Sequence, residues 1–196
     1  MRASDFDLLF VPRLGGDASA DWPGRWLSKL STARFVAPAD ALDPRLEAWA
    51  EAAADAARAA RRPALFIGHG FGFGAAAVVE AARDMGHADV RGAFLVAPPD
   101  EAGLARRMGA RWTAARARLP WPGLIVASRN DPDGAFDAVA ALASAWGAEL
   151  VDAGLAGSLD AASGHGPWPE GLMRLAGFIK RIGEPADRAS RRDTRH

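Results

Sequence analysis

Cysteine and tyrosine are both absent from the 196 residues. Without a thiol the chain can form no disulfide, present no thiolate nucleophile and ligate no zinc or iron–sulfur cluster through cysteine, and cysteine usage leaves the redox compartment open. An excess of charge is also missing: 24 basic residues balance 24 acidic ones, so the field of the whole molecule exerts no general pull toward nucleic acid or an anionic membrane. The first apolar run, 8–11, follows Asp5 and Asp7 and is too short for a signal-peptide core or a membrane span. A cytoplasmic protein without nucleic-acid or membrane partners is expected. The missing tyrosine and abundant alanine reflect base bias and helical content, and decide nothing about function.

What is present is a regular alternation. Short apolar, β-rich runs occur at 8–11, 34–37, 64–67, 93–97, 124–127 and 149–151, with helical patterns between them. This order predicts a doubly wound α/β domain of about six parallel strands with helices on both faces. Asp43-Pro44 reads as an N-cap followed by proline in the first turn, ahead of an apolar stripe of Leu46, Trp49, Ala53, Ala57 and Ala60. Further helices are expected over 135–146, stopped by Gly147, and 170–182, stopped by Gly183 and Pro185. One domain over 1–185 is predicted, with a disordered basic tail at 186–196 that has no apolar period. No repeat or linker interrupts it.

The most informative stretch is Ala64-Leu65-Phe66-Ile67-Gly68-His69-Gly70-Phe71-Gly72-Phe73-Gly74-Ala75, an apolar strand leading through glycines into a helix of small residues. Gly68-x-Gly70-x-Gly72 has the frame of a nucleophile elbow, G-x-S-x-G, with glycine in the central place. In such an elbow a sharp strand-to-helix turn lifts the central side chain above the sheet and aims backbone amides at a developing oxyanion. Here the turn has nothing to lift. As the apex of a strained turn, Gly70 is expected at positive φ.

Other motifs fall in a recognisable order: Val11-Pro12-Arg13-Leu14-Gly15-Gly16 with Asp21-Trp22 and Trp26, Val96-Ala97-Pro98-Pro99-Asp100, Ser128-Arg129-Asn130-Asp131-Pro132, Ser163-Gly164, and Trp168-Pro169-Glu170-Gly171. Together with the elbow they resemble the small α/β-hydrolase-fold serine hydrolases typified by retinoblastoma-binding protein 9 and YdeN, over roughly residues 7–182. The resemblance implies a triad of serine at the elbow, aspartate in the S-x-N-D-P loop and histidine near the carboxyl end. Matched position by position, these fall on Gly70, Asp131 and Ser158. Leu14 and Phe71 take the oxyanion-hole positions. Two triad members are therefore replaced. Only residual assistance from oxyanion hole and binding, on the order of 10³–10⁴-fold over water, survives loss of triad members. The resemblance implies a pseudoenzyme that binds a small molecule or a protein, with no cofactor and no metal.

Other readings compete. His69, beside the apex, reads as a residue that pins the turn by hydrogen bonds. His165 could serve as a relocated base in a rebuilt esterase-type hydrolase. Gly70-x-Gly72-x-x-Ala75 loosely fits a dinucleotide fingerprint, and a strand-to-helix turn of this kind can hold an anion or nucleotide. Arg106, Arg107, Arg111, Arg116, Arg118 and Arg129 occupy an acid-free segment that reads as an anionic-ligand surface or as a solvated helix face. The seven tryptophans are too scattered for a stacking platform, and core or pocket-lining roles are expected. Oligomeric state is left open. If only side chains are missing, Gly70→Ser together with Ser158→His should restore activity.

Overall fold

The structure, a computed structural model, describes residues 2–12, 21–70, 74–83, 85–86, 88–109 and 112–183. Leu14, Phe71, Arg111 and the tail at 186–196 lie outside these. Six strands run β1 (Asp7–Val11), β2 (Ala33–Phe35), β3 (Ala64–His69), β4 (Val90–Val96), β5 (Gly123–Ala127) and β6 (Glu149–Asp152). They form one sheet in the order β2-β1-β3-β4-β5-β6, parallel throughout. The helices are α1 (Trp22–Leu27), α2 (Leu46–Arg58), α3 (Gly74–Ala81), α4 (Glu101–Met108), α5 (Phe136–Trp146) and α6 (Pro169–Ile182). Among the described residues no helix is long and apolar enough to cross a membrane.

Successive strand side chains point to opposite faces, and a parallel sheet covered on both sides must be apolar at nearly every position. The central strands obey this. Leu9, Phe66, Leu95 and Ile125 pack with Trp49 and Ala53 of α2, Ala76 of α3, and Leu142 and Trp146 of α5. Their neighbours Leu8, Phe10, Leu65, Ile67, Phe94, Val96 and Val126 face the other way, onto Trp22 and Trp26 of α1 and Leu175, Phe178 and Ile179 of α6. Gly92 lets α6 lie directly on β4, where a Cβ would stand 3.0 Å from the Phe178 ring.

Several boundaries differ from the sequence expectation for physical reasons. Helix α2 begins at Leu46 with Arg45 as its N-cap. Asp43, expected to be the cap, instead forms a local turn, accepting from the Arg45 amide at 2.9 Å and binding the Arg45 guanidinium, while its carbonyl takes the Trp49 indole N–H at 2.9 Å. Helix α5 stops at Gly147 with φ 66°, a left-handed cap of the kind glycine favours. Gly183, by contrast, ends α6 in a right-handed conformation.

Candidate functional site

The carboxyl ends of β3, β4 and β5 meet the loop after β6 at one edge of the sheet, where open α/β folds place their ligands. At the end of β3 the strand continues its pairing for one residue: the Gly70 amide donates to the Val96 carbonyl at 2.7 Å. That amide is therefore not offered to an anion. Gly70 is not among the residues with positive φ, which corrects the strained-apex expectation; the left-handed conformation falls opposite, on Ala97 with φ 47°. A Cβ built at Gly70 would overlap the Ala97 carbonyl and stand 2.9 Å from the Val96 oxygen. The space that a side chain at position 70 would need is filled by backbone. The helix beyond the turn is equally close, since a Cβ at Gly68 would stand 3.0 Å from the Ala75 Cα and one at Gly74 2.6 Å from the Val11 carbonyl.

The loop after β5 and the loop after β6 are stitched together by the residues of the Ser128-to-Pro132 motif. Ser128 Oγ donates to Asn130 Oδ1 at 2.8 Å and accepts the Ala156 amide at 3.0 Å. Asn130 Oδ1 takes the Gly157 amide at 2.8 Å, and the Arg129 amide donates to the Gly154 carbonyl at 2.8 Å. This sets Asp131 beside Ser158, whose hydroxyl donates to Asp131 Oδ1 at 3.2 Å. The same oxygen accepts the Asp133 amide at 3.1 Å, closing a local turn. Asp131 does not cap the following helix, whose N-cap is Ala135; Asp100 accepts the Ala135 amide at 2.8 Å and caps α4 through the Gly103 amide at 2.6 Å. Burial pushes the Asp131 carboxyl up to about 6. The nearby Asp133 and Asp160 carboxylates add to the rise, and the Asp133 amide and Ser158 hydroxyl oppose it.

His69 joins this loop from below. Its Nε2 lies 3.1 Å from the Ser158 carbonyl, and its buried ring packs 5.1 Å from that of Trp22. Asp131 and Ser158 are thus linked to His69, the residue before Gly70, through one chain of contacts at the sheet edge. Trp22 donates its indole N–H to the Leu159 carbonyl at 2.9 Å, and Asp21 accepts the Ala161 amide at 2.7 Å. The Trp26 and Trp168 rings stack at 5.7 Å and 7°. Three of the tryptophans therefore do converge. They form a buried core that holds the loop after β6 rather than a surface for stacking ligands.

With that geometry in view, the chain matches the serine hydrolase family over residues 8–177. It belongs to the serine hydrolase family. A YdeN-like hydrolase from Pectobacterium atrosepticum is similar to it, with 29% identity and a TM-score of 0.80 over 92% of this chain and 94% of that one. The ydeN gene product of Bacillus subtilis superposes with a TM-score of 0.67 at 16% identity, over 89% of this chain and 99% of that one. The esterase domain of a Rhodothermus marinus protein gives 0.64 at 18% identity, over 93% and 90%. These last two likenesses speak for the fold. A comparison with curated proteins returned no match.

Within this serine-hydrolase frame, His165 lies in the loop after β6, ahead of α6. Its Nδ1 lies 3.5 Å from Ser163 Oγ, and its ring lines a cavity of about 160 Å³ with Val126, Leu159, Trp168 and Arg174. Neither Gly70 nor Asp131 lines that cavity. The arginines are engaged locally: Arg107 with Asp133 at 3.1 Å, Arg116 with Glu101 at 3.2 Å, Arg129 with Asp152 at 2.7 Å, and Arg106 with the Pro132 carbonyl at 2.9 Å. The Arg118 guanidinium lies against Gly147. They brace loops and do not converge on one ligand surface. Sequence reasoning missed Ala97 altogether, because nothing in Val96-Ala97-Pro98 signals that its carbonyl closes the space above Gly70.

Proposed function

We propose that this serine-hydrolase-family chain is a pseudoenzyme, acting by binding a small molecule or a protein partner rather than by acyl transfer. In this reading Gly70 stands at the nucleophile position, Ser158 at that of the base and Asp131 at that of the acid. The likeness to the hydrolases typified by retinoblastoma-binding protein 9 and YdeN supplies that register. The observation that carries the proposal is the closed space at Gly70, where the Ala97 carbonyl occupies the position a serine Cβ would need. Ser158 supports it from the other side. Its hydroxyl spends its hydrogen bond on Asp131, and a neutral hydroxyl is no base near pH 7. A fluorophosphonate probe and p-nitrophenyl esters test the reading together. No covalent labelling is expected, and no turnover above that of heat-treated protein. Stoichiometric, saturable labelling would falsify it.

A further inference from the structure

Helix α4 has little apolar anchorage. Of its described side chains only Leu104 is a buried hydrophobic residue, and polar contacts to the turn after β5 do much of the remaining work. The Asp100 amide donates to the Asp133 carbonyl at 3.1 Å, and that carbonyl lies so close to the helix that a Cβ at Gly103 would overlap it. Arg106 donates to the Pro132 carbonyl at 2.9 Å. Arg107 Nε reaches both carboxylate oxygens of Asp133 at 3.1 Å. The Asp133 side chain is 7% exposed and that of Arg107 45%, so the acid is the buried partner. Among the described residues Arg107 is the one cation paired with it, and a buried carboxylate stripped of its cation is strongly unfavourable.

The turn gripped in this way is the one that carries Asp131. The Asp133 amide and the Ser158 hydroxyl both donate to Asp131 Oδ1, at 3.1 and 3.2 Å. Oδ2 has no hydrogen-bond partner among the described residues, which leaves it for a ligand. The charged and titratable groups around this carboxyl come from four elements: Asp133 on its own turn, Arg107 from α4 behind Asp133, Asp160 from the loop after β6, and His69 from β3 on the Ser158 carbonyl. Asp133 and Asp160 both oppose a charge on Asp131, and Arg107 offsets the first of them. We propose that Arg107 is a positioning residue for this site, fixing through Asp133 both the place of Asp131 beside Ser158 and the charge it carries. The proposal rests on the reading of Asp131 and Ser158 as a ligand-binding remnant of the triad. A charged Asp131 offers Oδ2 as an acceptor to a ligand with an N–H or O–H group, whereas a protonated one offers a donor. With Arg107 in place the carboxyl titrates at about 6, so at pH 7 the site meets a ligand as an acceptor.

Carboxyl-carbon NMR titration of the full chain tests this, with Asp131→Asn to assign the signal and circular dichroism as the folding control for each variant. The wild-type Asp131 signal should titrate near 6. Arg107→Gln strips Asp133 of its counter-charge, so the coupled Asp131–Asp133 pair should take up its first proton about one pH unit higher, and the Asp133 amide should exchange about tenfold faster as the turn loosens. Arg107→Lys keeps a positive charge and should bring the midpoint part of the way back. Asp133→Asn removes the repulsion and should lower the Asp131 midpoint. Adding Arg107→Gln to Asp133→Asn should shift it no further, because the arginine then has no charge to offset. A midpoint that Arg107→Gln leaves unmoved overturns the proposal. So does an equal shift in the Asp133→Asn background, which would assign Arg107 to general packing. The titration reads Asp131 whether or not the chain carries out acyl transfer, so its failure is distinct from the fluorophosphonate labelling that would sink the pseudoenzyme reading.

Discussion

At the scale of single residues the site is governed by two packing facts. Gly70 is glycine because only a residue without a Cβ fits against the Ala97 carbonyl. Gly70→Ala should therefore lower unfolding free energy by about 3 kcal/mol in urea titrations, a cost typical of forcing atoms into a filled core; a loss near zero would mean that the β3–β4 edge yields freely. Asp131 makes the second case. Its folded pKa of about 6 stands above the ordinary aspartate value of 3.8 because burial disfavours the charge. A group whose folded pKa is raised binds more protons folded than unfolded, so its contribution falls as pH rises from about 4 to about 6 and stays low at neutrality. The remaining exposure of the site screens the penalty. Asp131→Asn, which keeps an oxygen for the Ser158 hydroxyl and the Asp133 amide, should stabilise the chain by about 1 kcal/mol at pH 7. The gain should vanish below pH 4 when melting temperatures are compared across pH. A variant less stable than wild type at pH 7 would show that the carboxylate is better solvated or better paired than its burial implies.

At the scale of elements, the four inner strands β1, β3, β4 and β5 were legible in the sequence because each carries a largely apolar run between polar turns, and burial on both faces demands that pattern. The glycine frame after β3 was legible for a similar reason: close strand–helix approach needs small residues, and Gly68 and Gly74 are both pressed by backbone. Contacts between distant segments carried no such signal. Trp168 is far in sequence from Trp22 and Trp26, yet the three converge with His69 beneath the loop after β6. Asp43 looked like a helix cap by local pattern and lost that role when its carboxylate bound Arg45 instead. Leu159 and Trp168 hold left-handed backbone at φ 53° and 41°, a conformation that costs of order 1–3 kcal/mol and persists where surroundings enforce it. The Trp22 indole bond to the Leu159 carbonyl is one such enforcement. Trp22→Phe keeps an aromatic ring but removes the donor and part of the buried indole volume, so it should cost at least about 1–2 kcal/mol. Amide exchange should accelerate chiefly between residues 156 and 168. Uniform acceleration across the sheet would assign Trp22 to general core packing instead.

At the scale of the whole molecule, catalysis by a serine hydrolase depends on three loops meeting at one sheet edge. In the register proposed above, two of those loops still meet: the Ser128 and Asn130 bonds hold the loops after β5 and β6 together, and Asp131 touches Ser158. A histidine at position 158 would therefore stand beside an acid able to orient it. The obstacle lies at the third loop. Gly70→Ser has no room for its Cβ while the Ala97 carbonyl remains where it is, and that carbonyl belongs to a residue at φ 47° whose amide is tied to Val126 at 2.8 Å. Triad members act as a unit, so a base without a placed nucleophile yields no acyl transfer. Gly70→Ser with Ser158→His should accordingly remain unlabelled by fluorophosphonate and melt below wild type. Adding Ala97→Gly gives the obstructing peptide the freedom to rotate, since glycine occupies either sign of φ at little cost. Labelling is expected first in that triple variant, at a rate well below that of an intact relative. Robust labelling of the double variant would show that the sheet edge opens without help and that the missing side chains were the whole of the defect.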